Sequence, residues 1–352
     1  MKNRKYWITA SLICVILGAI FIALGRLMGG YPGFYIDNTG IHTTSSHSTP
    51  IKDSVKLDKF NSMEIHADYS DVELVYSDKF AVEYRIRGNS GDPVCEVRNN
   101  RLIFQEAKPF RDYYIGSFTF TSMTFYEPRY FIKVMIPKGT KLSEAVFDIE
   151  TGDLDISSIK AETLKITDKY GDVSVGSCNL KTLDIQMESG TLALDTVDAS
   201  QAVLCNTYGG IGISEAAGRS LMIQMESSDL KAGRMNYSDT EIKNDYGNVD
   251  IEEASGEHLS LRMETGSCQI DRMDCNDTKL TNSFGGIRLG LLGEMDNYGF
   301  NLKSKYGDIR LENHRKGYDS AENNAVYTAP GDGRRMIMAT CESGDIDIKS
   351  VK

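Results

Sequence analysis

Glycine recurs as Gly152, Gly171, Gly190, Gly209, Gly247, Gly266 and Gly285, each a multiple of nineteen from the first, and Ser228 holds the remaining slot. With 32 glycines in 352 residues, composition alone does not fill seven of eight such slots. A shared phrase surrounds them, as in Tyr170-Gly171-Asp172-Val173, Glu188-Ser189-Gly190-Thr191-Leu192, Tyr208-Gly209-Gly210-Ile211 and Tyr246-Gly247-Asn248-Val249. Further corners of this type stand at Gly307 and Gly344. A fixed period near twenty marks a solenoid, in which each repeat buries its apolar face only against its neighbours. Length then measures the number of coils rather than the number of globular domains.

Within one repeat, Leu183, Ile185 and Met187 alternate with Asp184 and Gln186, a glycine corner follows, and Leu192 and Leu194 flank Ala193. Period-two patterning between turn residues predicts strands, so the fold class is all-β: a single-stranded parallel β-solenoid of about 19-residue repeats over 141–352, with two facing sheets. Glycine suits the corner because positive φ or a close backbone approach penalises a Cβ. A second period is superimposed. Glu150, Glu188, Glu226 and Glu264 recur in every second repeat, while Tyr170, Tyr208, Tyr246 and Phe284 occupy the intervening ones, with Asp168, Asn206, Asn244 and Asn282 two places earlier. A 38-residue coil would stack glutamates about 4.8 Å apart, where they repel, but would also bring the Asn and Tyr columns into like-on-like ladders. The 19-residue coil is the expectation. The alternation breaks in sequence after Phe284, because Lys305-Tyr306-Gly307-Asp308 precedes Glu342-Ser343-Gly344-Asp345, across a polar excursion at 313–335.

The N-terminus has a different character. Residues 1–5 carry Lys2, Arg4 and Lys5, and the uncharged segment 6–25 is long enough for one transmembrane helix. The basic flank predicts a signal anchor with the remainder outside the cell membrane; a cleaved signal peptide is the rival reading. Residues 26–50, with Pro32, Gly33, Gly40 and Pro50, read as a stalk linker, and the short alternating runs of 51–140 as an N-terminal β cap region. Beyond Arg26 the chain has 35 basic and 50 acidic residues, which disfavours nucleic acid, anionic lipid headgroups and polyanionic polymers and leaves protein, neutral glycan or cations as partners.

No motif calls for a cofactor, metal or catalytic site. Asp follows several corner glycines, but the slot also accepts Thr191, Gly210, Asn248 and Ser267, so turn chemistry explains it as well as calcium does. Asp250, Arg288 and Arg310 share an outward row, a pattern that any solvated sheet can carry. Cys268 and Cys341 occupy apolar slots, whereas Cys205 lies in an outward one. Segment 104–131 holds ten aromatic residues. These rings either cap the open end of the solenoid or form a contact surface, with Tyr113, Tyr114, Phe118, Phe120, Phe125 and Tyr126 as the candidate partner-binding residues.

The step Ile136-Pro137-Lys138-Gly139 into serial Ser/Thr/Tyr-Gly-Asp-Val/Ile corners, behind an N-terminal anchor, resembles the putative-adhesin β-strand-repeat family of bacterial envelope proteins. The resemblance spans roughly 51–352 and implies a β-solenoid of unassigned molecular function, with no catalytic motif to carry over. The expected role is a membrane-anchored extracytoplasmic binding, adhesin-like or envelope-sensing module. The alternatives are a carbohydrate-active β-helix enzyme and a homopolymerising structural protein.

Overall fold

The computed structural model describes residues 51–86, 92–106, 129–312, 324–331 and 334–352, the backbone of four short strands outside them, and scattered helical positions between 13 and 24. Seven successive strands of 17 residues run from Leu154–Tyr170 to Cys268–Phe284. Each pairs in parallel with the next at an offset of nineteen: Leu154 opposes Val173, and Leu164 opposes Leu183. Both ends of a strand keep this offset, so one repeat makes one coil and the 38-residue alternative is excluded. Glutamates of the doubled period therefore lie two strand spacings apart, about 9.6 Å. Lys169 sits between two of them, 3.2 Å from Glu150.

The two facing sheets of the sequence reading become three sides. In Val173–Ser189 the inward residues are Val173 and Val175, then Cys178 and Leu180, then Leu183, Ile185 and Met187. Two consecutive outward residues separate each group, and a strand that shifts phase in this way must bend to keep its apolar side inward. The glycine corner supplies the third bend. Packing between coils is matched in size: Tyr237, fully buried, faces Gly218 and Gly256 of the adjoining coils, and a Cβ on Gly218 would strike the Tyr237 ring.

At both ends chain order departs from spatial order. Ser62–Ala67 pairs in parallel with Leu142–Ile149, and Asp71–Ser77 with the start of Leu154–Tyr170. Beyond that coil the sheet ends in antiparallel partners: Phe131–Pro137 against Ala81–Ile86, Ala81–Ile86 against Ile51–Lys56, and Val94–Arg98 against Arg101–Gln105. Rings pack edge to face within this end, Phe60 on Phe80 at 4.8 Å and Tyr84 on Phe104 at 5.3 Å. At the other end the last coil in sequence, Arg335–Ser343 with Ile346–Val351, is inserted between the Phe284 coil and the earlier Tyr298–Ser304 and Ile309–Leu311.

Among the described residues no helix is long and apolar enough to cross a membrane; the 6–25 segment lies largely outside those residues. Part of the expected stalk is strand: Gly33–Asp37 pairs with Gly40–Thr43 and with Gly116–Thr119 in a separate three-stranded sheet.

Candidate functional site

Of the aromatic residues proposed for partner binding, Tyr113, Tyr114, Phe120, Phe125 and Tyr126 lie outside the described residues. Phe118 is placed only by its backbone, opposite Phe34. At the edges of the same segment, Phe104 is fully buried and Phe131 half-buried in the terminal strands.

The array carries another aromatic surface. Register places Tyr69, Thr151, Tyr170, Ser189, Tyr208, Ser227, Tyr246, Thr265, Phe284, Ser343 and Tyr306 in one column just before the corners, which are glycine except at Ser70 and Ser228. Rings and hydroxyls alternate throughout. The sequence break after Phe284 disappears in space, because the Ser343 coil lies between Phe284 and Tyr306. Tyr69, contributed by a segment far earlier in the chain than Thr151, continues the alternation at the opposite end. The six rings are 40–59% exposed. Sequence reading found the Tyr and Glu periods but missed the ridge, since its last members stack out of chain order.

Carboxylates accompany the hydroxyl coils. Glu188, Glu226, Glu264 and Glu342 directly precede Ser189, Ser227, Thr265 and Ser343, and all four are exposed. Past the corner, Asp side chains tie coil to coil: Asp153 accepts from the Asp172 N–H at 3.0 Å, Asp172 from Thr191 at 2.7 Å, Asp229 from Asn248 at 2.7 Å and Asp345 from Asp308 at 2.8 Å. Their recurrence after glycine is thus hydrogen bonding to the next coil.

Beneath the ridge lies a buried polar column. Asn206, Asn244 and Asn282 donate Nδ2 to the corner carbonyls of Gly190, Ser228 and Gly266 at 2.8–2.9 Å, and Ser304 donates to Gly344 at 2.8 Å. Each bond joins the coil of Tyr208, Tyr246, Phe284 or Tyr306 to a corner carbonyl of the adjoining hydroxyl coil. Asp168 holds the first such slot, and neither of its oxygens has a well-aligned partner. Burial pushes its carboxyl up to about 7, although the nearby N–H groups of Gly171 and Tyr170 pull the other way.

The expected glycine corners divide into two kinds. Gly190, Gly209, Gly247, Gly266, Gly285 and Gly344 have positive φ, whereas Ser228 does not. At Gly152, Gly171 and Gly307 positive φ is not what selects glycine; there the demand is the close backbone approach, the other of the two reasons expected for the slot. A Cβ would collide with the backbone carbonyl of Ser70, Gly152 and Gly344 respectively. Gly285 combines both demands, with φ +133° and the Gly266 carbonyl beside it. It also departs from the serial order, since the corner stacked on its far side is Gly344 of the inserted coil rather than Gly307, the next in sequence.

Four residues past Tyr170, Tyr208 and Tyr246 begins a shallow open trough of about 720 Å³, floored by small residues such as Gly176, Ala193, Gly212 and Gly233 and edged by Asp195 and Glu252. The row containing Asp250 and Arg288 continues through Asp347 to Arg310. Arg310 is engaged by Asp345 at 2.8 Å and Asp347 at 3.1 Å, which makes it part of a neutralised surface network. Cys205 faces outward as expected, half-buried beside Gln224, and burial raises its thiol above the ordinary range, which disfavours a nucleophilic thiolate. Cys268 and Cys341 are buried.

A family model described as Toastrack DUF4097 matches residues 60–238 and 206–349. Among solved structures, a "putative adhesin" from Parabacteroides distasonis shares 14% identity over 69% of this chain and 96% of its own, with a TM-score of 0.45. A second "putative adhesin", from Parabacteroides merdae, shares 10% identity over 86% and 97% with a TM-score of 0.43. A "putative lipid binding protein" from Parabacteroides distasonis shares 14% identity over 86% and 97%, with a TM-score of 0.36. No curated protein is a significant match to the chain.

Proposed function

The chain belongs to the Toastrack family, and on that footing we propose that it is an extracytoplasmic binding module which recognises an extended partner with the aromatic ridge along its solenoid. One observation carries the reading: half-exposed rings recur at every second coil even where the chain runs out of order to supply them. Isolated exposed aromatics are ordinary surface, but a regular file of them is a repeated contact site. Interfaces concentrate binding energy in such side chains. The uncharged 6–25 segment and its basic flank support display on a single membrane anchor, with the acidic array facing outward.

Beads carrying the full chain should bind isolated bacterial envelopes. Replacing Tyr170, Tyr208, Tyr246 and Phe284 by Ser should weaken that attachment about tenfold or more. Unchanged attachment by this variant would remove the ridge from the function. Release of reducing ends from envelope polysaccharide, lost when Asp250 is replaced, would favour the enzyme reading.

A further inference from the structure

We infer that the ridge binds an extended β-1,4-linked polysaccharide, each ring stacking on every second sugar; this rests on the ridge being the recognition surface. The first argument is period. Adjacent rings are separated by two strand spacings, about 9.6 Å. A β-1,4-linked chain turns each sugar about half a revolution from the last, so alternate sugars present the same face at a repeat close to that distance.

The second argument is the chemistry of the teeth. Phe284 replaces tyrosine at one position, so the ring rather than the phenol is the common element. Tyr170, Tyr208, Tyr246 and Phe284 make no ring-to-ring contact with one another and remain half-exposed, which leaves their faces available. A pyranose offers a face of C–H bonds carrying small positive partial charge, complementary to the negative face of an aromatic ring.

The third argument is what lies between. Each gap holds a hydroxyl, and the hydroxyls of Ser189, Ser227, Thr265 and Ser343 have no partner within the chain among the described residues. The carboxylates of Glu188, Glu226 and Glu264 beside them form no ion pair there. Hydroxyls and carboxylates together accept and donate to a hydroxyl-rich ligand, while the negative charge rejects polyanionic polymers. It also opposes the docking of a second copy ridge to ridge, which would bring the two glutamate columns together. A basic proline-rich peptide shares the charge complementarity and a similar repeat, but such peptides dock in aromatic-lined grooves, and this is a single file on a corner.

The test uses the full chain and soluble β-1,4-linked N-acetylglucosamine oligomers from dimer to octamer, with titration calorimetry as the readout. Affinity should climb in steps of two sugars as successive rings are reached. Tyr208→Ser should lower the affinity for the octamer about tenfold, whereas Tyr208→Phe should preserve it, with the melting temperature of both variants unchanged. A lower melting temperature in Tyr208→Ser with sugar binding intact would overturn the inference and make the rings covers for the glycine corners. Preferential, salt-sensitive binding of a lysine- and proline-rich peptide would also overturn it. Failure of every oligomer, while the four-ring variant still loses envelope attachment, would sink the sugar assignment and leave the binding reading standing.

Discussion

Asp168 occupies a slot where three other coils place asparagine, and the difference is a proton. Asn206 donates to the corner carbonyl one coil back at 2.9 Å; an ionised aspartate has nothing to donate. An unfolded aspartate titrates near 4, whereas burial pushes Asp168 up to about 7. Between those values the folded chain holds more protons than the unfolded one, so this group makes stability fall as pH rises from about 4 to about 7. Asp168→Asn should abolish that slope and gain the missing bond. Its advantage should be small at pH 4 and reach at most roughly 4 kcal/mol above pH 7, read from denaturant melts across the range. A parallel pH profile for the two proteins would show that Asp168 is not held protonated. The sequence displays this column as Asp, Asn, Asn, Asn at a fixed spacing in an inward slot, but not what a polar group does there. The intervening coils place Met187, Met225 and Met263 in the same slot, and only the corner carbonyls explain why a polar group is accepted there.

At the scale of the coil, the glycine slots were legible because a steric demand repeated once per coil leaves a direct trace in sequence. The third side was not, because two consecutive outward residues within a strand resemble an ordinary lapse in alternation. Glycines at successive corners also carry different burdens. Gly190 has φ +115° and lies against the Gly171 carbonyl, whereas a Cβ on Gly210 would find only the Asp229 carbonyl, at 3.9 Å. Gly190→Val should therefore cost about 3 kcal/mol or more, and Gly210→Ala should stay within about 0.5 kcal/mol. Thermal melts of the pair decide the matter: equal losses, or equal tolerance, would contradict the close stacking of the corners.

For the whole molecule, the interior of the array follows from its period, while the ends depend on pairings the period does not predict. Tyr69 reaches its place because Ser62–Ala67 pairs with Leu142–Ile149, far along the chain, and Ser343 is set against Phe284 across the whole of the intervening Tyr306 coil. The candidate ridge was legible in the same proportion: its central rings announce themselves at every second repeat, and its terminal rings emerge only from the fold. The inserted last coil is the sharper case. Among the described residues Tyr298–Ser304 pairs in parallel only with Arg335–Ser343 and antiparallel with Ala325–Ala329, so its strand pairing to the main array runs through residues 335–343. Ile309–Leu311 depends in the same way on Ile346–Val351. Deleting residues 335–352 should consequently do more than shorten the array by one coil. The Tyr306 coil would lose its parallel partner, and the Phe284 coil would expose an unpaired edge. Amide exchange should become fast across 298–311 while protection near Ile185 and Leu204 persists, because coils in a solenoid are stabilised by their neighbours. If the Tyr306 coil instead kept its protection by docking directly on Phe284, two rings would stand one strand spacing apart, and strict alternation would not be a requirement of the array.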